Sequence, residues 1–218
     1  MFLHKHPYKP FINPDTKKLI VGTLPPPRFS LGELFEKDVD FCYGSYYNSL
    51  WLYIDTIYDL NFRYDNSDEA VYQRKQFLID HHIGICDIVD SCERKKLDAS
   101  DLGMINIKLR NLIGYIKKFE NIELLLFTGG NSKNGPEYLF RRHLKEHGMG
   151  LELVSNKTPK IHQFEMFGNR IIKTVSLTSS SGSANRSIGS HPLFKQLKAK
   201  NPEFNTFDFR VMQYREFL

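Results

Sequence analysis

One asparagine and two polar turns are the parts of this chain whose residue types could do chemistry. Asn48 is a neutral amide among the aromatic residues of Tyr43–Trp51, at the predicted start of a helix. A helix start favours a bound water molecule or anion, because its first N–H groups have no partner within the helix. An amide has no useful pKa near neutrality, so Asn48 would orient water through its carbonyl oxygen rather than remove a proton.

The two polar turns each follow an apolar run that predicts a strand. The first turn, Gly22–Pro27, follows Leu19–Gly22, and the serine-rich turn Thr178–Arg186 follows Arg170–Leu177. Proline cannot continue a central strand, so the chain must leave the sheet at Pro25. Because ligands bind where strands leave open α/β sheets, we expect the two turns and Asn48 to form one site.

Short apolar runs alternate with helical patterns along the chain. Strands are predicted at Leu19–Gly22, Ile83–Val89, Leu124–Thr128, Leu151–Val154 and Arg170–Leu177. Helices are predicted at Ser49–Leu60, Tyr72–His82, Leu102–Phe119, Pro136–His147 and Pro192–Ala199, with a polar turn at Ser91–Arg94. This order predicts an α/β fold, a three-layer α/β/α sandwich with a short, mainly parallel central sheet. Because no linker or repeat interrupts the order, residues 1–218 are predicted to form a single domain.

Composition excludes several classes of protein. The apolar runs are too short to cross a bilayer and the N-terminus has no secretory segment, so we expect a cytoplasmic protein without a membrane partner. The cysteines Cys42, Cys86 and Cys92 have no metal-site spacing, and the histidines form no metal pattern, so no metal and no cofactor are expected. A net charge of +5 suits a polyanionic partner, although the same balance also occurs where it serves solubility alone.

Five segments carry a family resemblance, and they follow the family's order. They are Leu19–Pro25 with its lead-in Pro10–Pro14, Tyr43–Trp51, Gly84–Arg94, Phe127–Gly130 with Leu139–Arg142, and Ser179–Asn185. Together they resemble the uracil-DNA glycosylase superfamily, most closely its mismatch-specific and hypoxanthine-DNA glycosylase-like branch, over nearly the whole chain. The resemblance implies that family's three-layer fold. It also implies a monomeric, monofunctional DNA glycosylase of DNA repair that hydrolyses the N-glycosidic bond of a flipped-out deaminated, damaged or modified base, uracil or hypoxanthine foremost, and leaves an abasic site.

The resemblance also implies roles for single residues. Thr23 stands where many members of the superfamily carry Asp, Asn or Glu, which shifts the catalytic role to Asn48. Thr128 replaces an asparagine that helps to read the base, and Asn131 could compensate. The implied base-binding residues are Gly22, Thr23, Leu24, Tyr43 and Asn131, with Tyr43 as the stacking wall. The implied DNA-binding residues are Ser181, Gly182, Ser183, Asn185 and Arg186.

Alternatives remain open at this level. Asn48 could be a simple helix cap, and Asp38 or Asp40 could activate the water instead. Asp87 and Asp90 are interpreted as structural or surface carboxylates. The whole chain could also be a catalytically silent relative that binds damaged or modified DNA, or a hydrolase of free nucleosides or nucleotides.

Overall fold

The computed structural model describes residues 1–218 except for the side chain of Ser183. Its strands are β1 (Phe2–Lys5), β2 (Lys18–Val21), β3 (Ile83–Ile85), β4 (Val89–Arg94), β5 (Met104–Leu109), β6 (Leu124–Phe127), β7 (Glu152–Ser155), β8 (Lys160–Met166) and β9 (Arg170–Ser176). Its α-helices are α1 (Pro27–Leu31), α2 (Leu50–Tyr58), α3 (Asp68–Asp80), α4 (Leu112–Lys118), α5 (Pro136–Glu146), α6 (Asn185–Ser190), α7 (Pro192–Lys200) and α8 (Thr206–Arg215). Short 3-10 turns occupy Asp101–Gly103 and Gly182–Ala184.

The central sheet has the strand order β3-β2-β6-β9-β8-β7. Strands β3, β2, β6 and β9 run parallel, and β8 and β7 extend the sheet as antiparallel strands. A smaller antiparallel sheet has the order β1-β4-β5. The prediction of an α/β fold with a mainly parallel sheet between helices is confirmed.

Successive residues of the central strands face opposite helical layers, because side chains alternate along a strand. Leu19 and Val21 of β2 pack in a cluster with residues of α4 and α5. Ile20, which lies between them, packs in a second cluster with residues of α2, α3 and α8. Burial on both faces explains why these strands are continuous apolar runs rather than alternating ones.

Helix α8 was not predicted from the sequence. It begins with a capping box, in which the Asn205 side chain accepts from the Asp208 N–H and the Asp208 carboxylate accepts from the Asn205 N–H. The helix packs across α2, where the rings of Tyr53 and Tyr214 lie 5.1 Å apart. Its weak apolar periodicity explains why the sequence pattern did not reveal it.

The predictions for Ser91–Arg94 and for Leu102–Phe119 were wrong. Ser91–Arg94 is not a turn, because it lies within β4 and pairs with β1 and β5. The single helix expected over Leu102–Phe119 is instead a 3-10 turn, the strand β5 and the shorter helix α4. Ile105, Ile107 and Leu109 recur every second residue, and pairing with β4 selects that strand period over the helical one. Strands β1 and β8 were also not predicted.

Among the helices of the described residues, none has both the length and the apolar character that crossing a membrane requires.

Candidate active site

A cleft of about 190 Å³ opens where the parallel strands end. Its walls come from the segments after β2, β3, β6 and β9, whose carboxyl ends share one edge of the sheet. Ligand pockets for drug-sized molecules measure about 300–1,000 Å³, so this cleft suits one planar ring rather than a whole nucleotide. The predicted site residues that line it are Gly22, Thr23, Leu24, Tyr43, Asn48 and Ser181.

The Asn48 segment and the serine-rich turn meet in this cleft, as the sequence predicted. Asn48 and Ser181 form an isolated antiparallel β-bridge. The Ser49 N–H donates to the Ser180 carbonyl at 3.0 Å. Main-chain pairing therefore joins two segments that are more than a hundred residues apart in the sequence.

Asn48 is half-buried at the start of α2. Its Oδ1 accepts from the Leu50 N–H at 2.9 Å in an Asx turn, so the side chain pairs the first N–H of the helix from one residue before the N-cap Ser49. This bond fixes the orientation of the amide. A carbonyl oxygen has two lone pairs, so the same atom can accept from a water molecule as well.

Gly22 and Tyr43 are in close contact at the end of β2. A Cβ atom on Gly22 would lie 2.3 Å from the Tyr43 hydroxyl and 2.8 Å from Oδ1 of Asp87. Tyr43 has a φ of +58°, in the left-handed region that costs a non-glycine residue energy. Its hydroxyl lies 3.3 Å from Oγ1 of Thr128. Glycine at position 22 is what allows the phenol to reach the end of the strand.

Asp87 is a buried carboxylate that borders the cleft. Its Oδ1 accepts from the Gly22 N–H at 3.0 Å, and its Oδ2 lies 2.9 Å from Nε2 of His6. Nδ1 of His6 accepts from the Tyr8 N–H at 3.1 Å, so the neutral ring carries its proton on Nε2 and donates it to Asp87. Burial opposes ionisation, but the hydrogen bond from His6, with smaller contributions from Tyr43 and Arg110, holds the pKa of Asp87 below its ordinary value.

Asp101 is a second carboxylate of the cleft, and it was not predicted from the sequence. Its Oδ1 accepts from the Thr23 hydroxyl at 2.8 Å. Burial raises the pKa of Asp101 to about 6, although the Thr23 bond and the charge of Arg94 act in the opposite direction. No recognisable motif surrounds Asp101, because it follows the exposed loop between β4 and β5.

The other predicted residues lie outside this lining. Asn131 is exposed, as are Gly182, Asn185 and Arg186. The side chain of Ser183 is outside the described residues.

Asp38 is buried and receives hydrogen bonds from Arg28 at 2.7 and 2.8 Å. Asp40 is exposed and accepts from the Tyr8 hydroxyl at 2.6 Å. Neither carboxylate borders the cleft.

Arg210 of α8 donates hydrogen bonds to the main chain of the serine-rich turn. The side chain is 3% exposed, and it donates to the Ser179 carbonyl at 2.8 Å and to the Ser181 carbonyl at 3.0 Å. Tyr214 of the same helix donates to the Thr178 carbonyl at 3.0 Å. Arg210 is therefore a positioning residue for this wall of the cleft, and sequence reasoning missed it together with its helix.

We expect Arg210→Met to lower the free energy of unfolding by about 2 kcal/mol, because the carbonyl groups of Ser179 and Ser181 lose the hydrogen bonds of a buried guanidinium group. Urea denaturation followed by circular dichroism measures this change. Arg215→Met, at an exposed position of the same helix, is the matched control. Equal unfolding midpoints for the two variants would show that Arg210 does not support the turn.

Comparison with known proteins bears on the fold. No protein-family model matches the chain, and no curated protein does. A solution NMR structure from Methanosarcina acetivorans, described as a "putative Uracil DNA glycosylase", superimposes with a TM-score of 0.54 at 15% sequence identity. The match covers 95% of this chain and 98% of the other chain. The chain therefore has the fold of that structure, a uracil-DNA glycosylase-like α/β/α fold.

Proposed function

We propose that this protein is a monofunctional DNA glycosylase that removes a deaminated, damaged or modified base and leaves an abasic site. The observation that carries the proposal is the convergence of the Gly22 turn, Asn48 and the serine-rich turn on one ring-sized cleft. The shared fold and the five sequence resemblances support the same class of enzyme. Uracil and hypoxanthine are the bases we consider first.

DNA is the proposed partner because exposed cations occupy the segments that form the cleft. Lys95 and Lys96 lie in the segment that contributes Ala99 to the cleft, Lys133 lies between Thr128 and Pro136, and Arg186 is the last residue of the serine-rich turn. These side chains can contact phosphates, so binding should weaken as salt concentration rises. The target base must leave the duplex to enter the cleft, which costs a few kcal/mol and least at a mismatched or damaged pair.

The proposed chemistry is hydrolysis with an oriented water molecule. The sugar gains oxocarbenium character while the departing base gains negative charge, so the enzyme needs a placed water and donors aimed at the base. Asn48 would hold the water through Oδ1, and the backbone N–H groups of Thr23 and Leu24 would bond the base. Tyr43 would stack on it, an interaction worth about 1–3 kcal/mol.

A second candidate function is a silent relative that binds damaged or modified DNA without cleaving it. The observation that favours it is that Asn48 already uses its oxygen to cap α2. Thr23 also favours this function, because it lies at a position where many members of the superfamily carry Asp, Asn or Glu.

A panel of oligonucleotides containing uracil, hypoxanthine, xanthine and modified cytosines tests the proposal, with alkali-labile sites as the readout. We expect Asn48→Ala to lower the excision rate by about 10²-fold, because the water loses its orienting partner. Asn48→Ser keeps a capping side chain but is too short to hold the same water, so it should lose activity without losing stability. Asn156→Ala, exposed in the turn between β7 and β8, is the control.

The other outcomes select other functions. Tight binding of the wild type without a product from any substrate would favour the silent binder. Cleavage of free nucleosides alone would identify a nucleoside hydrolase. Full activity of both Asn48 variants would remove Asn48 from the mechanism and leave Asp87 as the carboxylate to substitute next.

A further inference from the structure

The cleft holds a carboxylate that the proposed hydrolysis does not use. Asp101 lines the cleft, and its Oδ1 accepts from the Thr23 hydroxyl at 2.8 Å. The main chain at the same residue is fixed as well, because the Asp101 carbonyl accepts from Nδ2 of the buried Asn134 at 2.9 Å. The acceptor oxygens of this side chain are therefore held in place at the wall of the cleft.

The cation whose charge acts on this carboxylate does not pair with it directly. Arg94 donates instead to Nδ1 of His4 at 2.9 Å and to the Ser100 carbonyl at 2.6 Å, and it lies 3.8 Å from Asp98. The charge of Arg94 acts on Asp101 only through space. An ionised carboxylate only accepts hydrogen bonds, so Asp101 leaves room for a donor on a ligand.

Hydrogen-bond donors line the same cleft as this acceptor. Among the described residues, the backbone N–H groups of Thr23 and Leu24 donate to no protein acceptor, and both residues line the cleft. Thr23 and Leu24 are half-buried, and their N–H groups are therefore available to a ligand oxygen in the cleft. The cleft thus presents N–H donors next to a carboxylate acceptor.

A lactam has the complementary arrangement, a carbonyl oxygen next to a ring N–H. Uracil and hypoxanthine are lactams, whereas cytosine and adenine present a ring nitrogen lone pair at the corresponding position. Deamination of cytosine to uracil, or of adenine to hypoxanthine, converts that acceptor into an N–H donor. A fixed acceptor in the cleft would attract the deaminated base and repel its parent.

We propose that Asp101 is a specificity-determining residue that accepts the ring N–H of an extruded lactam base and thereby separates a deaminated base from its amino parent. The proposal rests on the proposed function, since it concerns the same cleft. Asp101 takes no part in breaking the glycosidic bond. Its contribution is to base selection, because a site built around a hydrogen bond leaves its polar groups unpaired when the wrong base enters.

Equilibrium binding tests the proposal without relying on turnover. Oligonucleotides carrying 2′-fluoro-2′-deoxyuridine, its N3-methyl derivative or 2′-fluoro-2′-deoxycytidine resist cleavage, since the fluorine disfavours positive charge on the sugar. We expect the wild type to bind the uracil oligonucleotide about 10²-fold more tightly than either of the others. Asp101→Leu should reduce this preference to within about 3-fold, because the acceptor is lost.

Two further variants separate recognition from folding. Asp101→Asn has nearly the same shape and can still accept from the Thr23 hydroxyl, but its NH₂ group can donate to a ring nitrogen, so the preference should shift toward cytosine. Asp98→Asn, at an exposed position three residues earlier, should behave as the wild type. A thermal unfolding curve for each variant excludes misfolding as the cause of a lost preference.

The preference should also depend on pH. With the pKa of Asp101 near 6, the carboxyl gains a proton and becomes a donor as the pH falls through that value, so discrimination against cytosine should decline. The charged groups that act on it are Arg94 of β4, which lowers the pKa, and Asp87 after β3, which raises it. Asp101→Asn should lack this decline.

An unchanged preference for uracil in Asp101→Leu would overturn the inference, even if the wild type excises uracil. Absence of any preference in the wild type would overturn it as well. If the wild type cleaves none of the cleavable substrates but shows a binding preference that depends on Asp101, the inference holds and the proposed catalytic function fails.

Discussion

Gly22→Ala is expected to reduce base excision by about 10³-fold or more. The added Cβ atom would lie 2.3 Å from the Tyr43 hydroxyl and 2.8 Å from Oδ1 of Asp87, distances that real Cβ atoms do not reach. Both groups must move, and the methyl group enters a cleft of only about 190 Å³. A displacement of about 1 Å at an active site can cost 10²-fold by itself. Here the position of Tyr43, the proposed stacking residue, and the volume of the cleft change together.

Single-turnover excision of the best substrate from the oligonucleotide panel measures this effect. Gly150→Ala is the matched control, because a Cβ atom there meets no heavy atom within 4 Å. Overpacking of this kind costs about 1–3 kcal/mol, so unfolding curves should show a moderate loss of stability in Gly22→Ala. Excision within a few-fold of the wild type would show that the end of β2 does not border the reacting base.

Gly44→Ala is expected to have the largest effect on stability, a loss of about 3 kcal/mol or more. A Cβ atom at this position would lie 1.9 Å from the Val39 carbonyl oxygen and 2.8 Å from that of Phe41. These are main-chain atoms, which cannot rotate away as a side chain can. The loop is also tied together there, since the Gly44 carbonyl accepts from the Val39 N–H at 2.7 Å and the Gly44 N–H donates to Phe41 at 2.9 Å.

Urea denaturation compares Gly44→Ala with Gly130→Ala, where an added Cβ atom has open space. We expect the first variant to unfold at a clearly lower urea concentration and the second to match the wild type. Because the same loop carries Tyr43 into the cleft, Gly44→Ala should also lose excision activity at temperatures where it remains folded. Equal midpoints for the two variants would show that the loop can relax around the added methyl group.

The two glycines have different roles in the same site. Gly22 leaves space for side chains that approach from the neighbouring segments, and Gly44 leaves space for the turn of its own loop. Neither position has the positive φ that usually marks an obligatory glycine. Their requirement for glycine comes from close packing, which only the arrangement of neighbouring segments reveals.

The central layer of this protein could be predicted from the sequence alone. The runs that became β2, β6 and β9 are short and continuously apolar, which is typical of parallel strands buried on both faces. Polar turns after such strands must lie at the same edge of the sheet. For that reason the meeting of the Gly22 turn with the serine-rich turn was predictable, and so was the place of Asn48 beside them.

Tertiary structure alone decided the strand pairing of β4 with β5 and the residues that complete the site. Strand β5 has apolar residues at spacings that also fit a helix, so only pairing with β4 settles its conformation. Asp87 and Asp101 are ordinary carboxylates in the sequence. Their burial and their hydrogen bonds with His6 and Thr23 determine the protonation state of each. Arg210 lies in a helix without clear periodicity, and its hydrogen bonds reach carbonyl groups about thirty residues away. Local patterns record which residues prefer a strand, a helix or a turn, whereas these contacts depend on which distant segments the fold brings together.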